Sequence, residues 1–169
     1  MQPQTDLDII GSLAVEREEE NDAFRSFLKK QDIKEIDQKV HQLNDIISAQ
    51  IDCTQCGNCC KTLMISIDAT EKKFFETHFN LSKEEAEEKY LSTAVNGNAI
   101  MCNMPCVFLE EKKCTVYENR FNDCRQFPHL HQDAFTNRLF SILRSYAMCP
   151  IVFNVVEELK KELNFTTSS

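Results

Sequence analysis

The chain has no tryptophan, only three glycines and only four prolines in 169 residues. So little turn punctuation argues against a loop-rich all-β design and in favour of helices. No block of lysine and arginine stands out and the formal net charge is −8, so the electrostatic footprint of a nucleic-acid binder is missing. No apolar run approaches the length that crosses a bilayer. The opening MQPQTDLDIIGSLAVEREEEND lacks the basic start and apolar stretch of a signal peptide. Together these absences predict a protein without nucleic-acid or membrane partners, working in the cytoplasm. The sequons at Asn80 and Asn164 would then carry no meaning.

Cysteine, by contrast, is plentiful: nine residues. A reducing compartment keeps them as thiols, and an odd count argues against a closed disulfide framework. Four of them crowd into DCTQCGNCCK, residues 52–61, as Cys53, Cys56, Cys59 and Cys60. Two residues between sulfurs let one tight loop aim both at a single ion, and Gly57 frees the backbone to turn. Buried structural cysteines are common singly, not four in eight positions. A thioredoxin-like redox pair follows a strand, whereas here a helix comes first. The stretch therefore points to a metal. Adjacent side chains diverge, so Cys59 and Cys60 are expected to serve different metals, or one of them to stand back from the ion.

Apolar spacing gives the frame. Residues 5–30 read as helical, and Ile33, Ile36, Val40, Leu43 and Ile47 recur at helical spacing over 32–51. Asp68-Ala-Thr-Glu71 and Ser82-Lys-Glu-Glu85 have the form of capping boxes opening helices near 69–79 and 83–91. Asn96-Gly97 marks a turn. CVFL, a charged EEKK turn and CTVY predict a small hairpin. A helix capped by Asp133 is expected around Phe135, Leu139, Ile142 and Tyr146, and Pro150 suits the first position of a last helix. The fold class is therefore mostly α, α+β, a small helical domain with one short hairpin around a cysteine-ligated metal. Residues 1–50 are expected to form a helical arm packed on a cysteine-cluster domain of 51–169, the two making one globular unit.

Cys102, Cys106, Cys114, Cys124 and Cys149 make a second group, with Cys106 and Cys114 flanking the hairpin much as zinc-ribbon ligands do. CTQCGNCCK, PCVFLEEKKCTVYENRFNDCRQFP and the late CP together resemble the YkgJ-type CxxCxxCC cysteine-cluster family, a zinc- or iron-chelating domain, over residues 53–150. The resemblance implies a metal held by Cys53, Cys56, Cys59, Cys60, Cys106, Cys114, Cys124 and Cys149. It also carries Arg120 and Arg125, flanking Cys124, as cations around the bound cofactor or against an anionic group. Phe121 stands where the family has proline, and Cys102 lies outside the pattern and reads as a free thiol. Eight thiols are twice the four that zinc or a [4Fe–4S] cluster prefers, and soft thiolates select those metals over magnesium or calcium. An iron–sulfur cluster, most simply [4Fe–4S], or zinc is the expected cofactor. The reaction stays open: the same cysteine cluster occurs in larger flagellin lysine methylases, so a methyltransferase-like or redox enzyme and a structural zinc module for protein contacts are the alternatives.

Overall fold

A computed structural model describes residues 2–94 and 97–167 of the chain. Asn96, half of the expected turn, lies outside the described residues; Gly97 beside it adopts φ +85.

Helices α1 (Leu7–Glu16), α2 (Glu18–Leu28) and α3 (Ile33–Ser48) open the chain. Asp6 caps α1 by accepting the N–H groups of Asp8 and Ile9, and Asp32 caps α3 through Glu35. The backbone departs from helical geometry at Arg17, so the helical stretch expected over 5–30 is two helices. The cysteine motif follows as α4 (Cys53–Cys56) and α5 (Cys59–Thr62), then β1 (Ile65–Ile67), α6 (Ala69–Phe79), α7 (Lys83–Lys89), β2 (Leu91–Thr93) and β3 (Ala99–Met101). The hairpin is β4 (Leu109–Glu110) and β5 (Lys113–Cys114), followed by a 3₁₀ turn at Tyr117–Asn119 and α8 (Asn122–Gln126). A 3₁₀ turn at Phe135–Arg138 leads into α9 (Leu139–Tyr146), and α10 (Pro150–Glu162) has proline at its start, as expected. The class is mostly α with short antiparallel strands.

Packing divides the chain into two compact units, Met1–Asp52 with Pro128–Ser169, and Cys53–Phe127. The chain is divided after Asp52 and again after Phe127, so the last helix groups with the first three.

In the first unit α10 packs on α3 and on α9. The seam is built from Ile36, Val40, Leu43 and Ile47 of α3 and Ile151, Val152, Val155, Val156 and Leu159 of α10, all buried. Each such side chain removed from water is worth roughly 1.5–3 kcal/mol, so this seam is the unit's main source of stability. Asp37, on α3 and only 8% exposed, accepts the N–H groups of Ala134 (2.7 Å) and Phe135 (2.8 Å). The cap expected from Asp133 is thus supplied by a residue nearly a hundred positions away, because Ala134 enters the turn in the left-handed region (φ 57). Lys160 is also buried, its ammonium held between Glu20 at 2.9 Å and Glu157 at 2.8 Å.

In the second unit both capping boxes are present, Asp68 with Glu71 and Ser82 with Glu85. The strands β1, β3 and β2 form an antiparallel sheet in that order, with Met101 of β3 opposite Ile65 on one side and Leu91 on the other. Ile65, Ile67, Phe75, Leu91, Met101, Phe108 and Phe121 make its core, with Phe108 edge-on to Phe75 (5.9 Å) and to Phe121 (5.8 Å).

Candidate metal centre

Seven of the eight cysteines named from the sequence, Cys53, Cys56, Cys59, Cys60, Cys106, Cys114 and Cys124, belong to the Cys53–Phe127 unit. Cys149 belongs to the other unit, at the N-cap of α10, and is buried. His129 and His131 belong to that unit as well. None of the nine cysteines is in a disulfide.

The C-x2-C loop is shaped by one glycine. Gly57 adopts φ +61, a backbone region that side-chain-bearing residues enter at a cost, and its N–H closes on the Cys53 carbonyl at 3.2 Å. A Cβ at this position would lie 2.7 Å from the carbonyl oxygen of Lys112 in the hairpin turn. The missing side chain is what lets the first motif lie against the hairpin, where α4 meets β5. A second tie runs between backbones, the Cys106 N–H donating to the Cys60 carbonyl at 2.7 Å. Two sequence-distant motifs are thus joined by main-chain contacts.

The thiols follow. Cys106, Cys114 and Cys124 pack against the apolar core and are half-buried. Burial pushes the Cys106 and Cys114 thiols up, against a hydrogen bond to each sulfur from a backbone N–H two residues on, that of Phe108 for Cys106 and of Val116 for Cys114. Burial, then the charges of Cys60 and Cys106, push Cys124 up to about 12. Cys60 is raised furthest, first by the hydrogen bond it shares with Cys59 and then by burial. Cys60, Cys106, Cys114 and Cys124 each lie within charge range of the other three, so the four form one group. Thiols that resist ionising beside one another become good ligands once a cation offsets their charge. Among the described residues no three Cys, His, Asp or Glu side chains stand poised around one ion; the sulfurs are gathered, not arranged about a common centre. As a donor set, all-thiolate and half-dry, they fit zinc or an iron–sulfur cluster.

The surroundings sort the remaining candidates. Arg120 lies over the Tyr117 ring (4.0 Å to its centroid), donates to the Tyr117 carbonyl at 2.9 Å, and pulls against the rise at Cys114. Arg125 is exposed on α8. Cys102 is exposed, with Sγ 2.9 Å from the Ser92 hydroxyl. Met101 is fully buried, its sulfur 3.8 Å from that of Cys106. Phe121, the departure from the family pattern, has φ −55, a value proline also takes, so the turn is kept and the ring joins the core. The paired N–H···S turns and the Gly57–Lys112 contact were beyond sequence reasoning. Only the Cys-x-Phe and Cys-x-Val spacing hinted at the first.

A family model described as "CxxCxxCC: Putative zinc- or iron-chelating domain" matches residues 52–145. The chain belongs to the CxxCxxCC family. Metal binding by a zinc- or iron-chelating domain is therefore the coarse function of this CxxCxxCC member. The match takes in Cys53 through Cys124 and stops short of Cys149. No curated protein matches the chain, and no solved structure does. No helix among the described residues is long and apolar enough to cross a membrane.

Proposed function

We propose that the protein holds an iron–sulfur cluster, [4Fe–4S], through thiolates drawn from Cys53, Cys56, Cys59, Cys60, Cys106, Cys114 and Cys124. The observation that carries this reading is the group of four thiols, Cys60, Cys106, Cys114 and Cys124, each within the charge range of the others, with Cys106 and Cys114 already accepting a backbone N–H at sulfur. Hydrogen bonds to sulfur favour the charged form and tune a bound cluster. Four gathered thiols meet the preferred count of one cluster, and the remaining cysteines allow a second site. Arg120 offsets thiolate charge near Cys114. When bound, the cluster supplies one-electron chemistry or an iron that takes up a substrate atom. The polypeptide supplies the half-dry sulfur pocket and the N–H donors. Zinc in the same thiolates is the second reading, favoured by the hairpin placing Cys114 opposite Leu109 beside Cys106, a ribbon-like arrangement.

Anaerobic purification with metal and acid-labile sulfide analysis decides between them. Iron with sulfide and a brown band near about 400 nm is expected; colourless protein carrying zinc would replace the cluster reading with the structural one. Cys60→Ser should lose the metal while Cys102→Ser keeps it. Equal loss in both variants would overturn the ligand set.

A further inference from the structure

The metal reading leaves unused an open cleft of about 190 Å³ in the Cys53–Phe127 unit, into which both Arg120 and Arg125 face. Thr70, Glu71, Phe74 and Phe121 complete most of its wall. Glu71 also lines the cleft, but its carboxylate is aimed at backbone and not at the arginines: one oxygen accepts the Asp68 N–H at 3.1 Å and the other the Asn122 N–H. It caps α6 and holds the start of α8. Arg120 is preorganised by its carbonyl bond and by the Tyr117 ring beneath it, which leaves further N–H groups of its guanidinium undirected. Among the described residues neither arginine has a carboxylate within salt-bridge distance. Two unpaired guanidiniums lining one cleft on a chain of net charge −8 run against the chain's overall balance. A guanidinium fork matches the planar geometry of oxyanions, and phenylalanine walls suit an apolar remainder.

We propose that this cleft binds an oxyanion, the carboxylate or phosphate group of a small ligand, with Arg120 and Arg125 as its partners and the Thr70 hydroxyl within the same wall. The inference does not rest on the cysteine assignment: a chain that bound an anion through Arg125 yet held no metal would sink the metal reading and leave this one standing.

The test is calorimetric titration of the chain, as purified with its metal, with inorganic phosphate and separately with benzoate. Saturable binding of either at millimolar concentration is expected, and which of the two binds tells a phosphate site from a carboxylate one. Arg125→Gln should weaken binding about tenfold, the loss of one charge-assisted hydrogen bond, with metal content per chain unchanged. Arg125→Lys, which keeps the charge and loses the fork, should fall between. Absence of saturable binding by both probes overturns the proposal, as does binding that Arg125→Gln leaves intact. Loss of metal from Arg125→Gln would assign that arginine to the cluster instead, and would overturn it too.

Discussion

The two units answer the same problem, burying enough surface to stay folded, in opposite ways. Met1–Asp52 with Pro128–Ser169 uses helices of eight to sixteen residues and lets apolar stripes close on one another. Cys53–Phe127, about 75 residues, has one helix of eleven residues, α6, among helices of four to seven, and strands of two or three. Its core is a patch of phenylalanines with cysteines at the edge. A single core in so few residues rarely supplies more than roughly 3–5 kcal/mol without a staple. Under the proposed function, the metal would do for the second unit what continuous apolar packing does for the first.

Removing the metal should break that comparison hardest. A structural zinc site contributes an apparent ~10–16 kcal/mol, more than the whole net stability of many domains. Hydrogen exchange on stripped and loaded protein should show protection lost across 53–127 and kept across α3, α9 and α10. Unchanged protection in 100–127 would mean the second cysteine group is not bound into the site. Gly57→Ala comes next. It asks an L-residue to adopt φ +61 and places its methyl 2.7 Å from the Lys112 carbonyl. The left-handed backbone and the overpacking together cost roughly 2–4 kcal/mol, read as weaker metal retention against a competing chelator.

Asp37→Ala moves the effect to the other unit. Two N–H groups, of Ala134 and Phe135, lose a charged acceptor, for a destabilisation of roughly 2–3 kcal/mol. The denaturation midpoint should fall while metal content does not. The smallest effect is acid sensitivity at Glu157. Burial raises its carboxyl, but hydrogen bonds from Lys160 and Tyr146 outweigh burial and hold it below the usual range. A depressed carboxyl contributes stability above the unfolded value of about 4.3 and loses it as pH falls through the folded value. Glu157→Gln should therefore lower stability at neutral pH and flatten the acid limb of the curve; an unchanged limb would remove this carboxylate from the account.

The same contrast explains what could be read in the sequence. α3 and α10 were legible because helical periodicity survives over many turns, and the two capping boxes because their polar groups sit three residues apart. The three-stranded sheet was not, since three residues are too few to display a period of two. The break at Arg17 was missed because no glycine or proline marks it. Asp37 escaped notice because its partners are Ala134 and Phe135, a link that exists only once α3 is folded. At the candidate metal centre, composition and spacing singled out the cysteines. The pairing of Cys60 with Cys59 and its place among the hairpin thiols depend on Gly57 meeting Lys112, a contact that neither residue type announces.

The split of the first unit into two chain segments has a consequence for the protein's birth. Synthesis proceeds at about 5–20 residues per second, so α3 waits roughly 5–20 s between its own completion and the emergence of α10, on which it packs. Through that interval Ile36, Val40, Leu43 and Ile47 have no α10 to cover them, while Cys53–Phe127 is already a continuous stretch of nascent chain. Metal delivered in that window would find the cysteine unit first, and α3, made before it, would find its place after it.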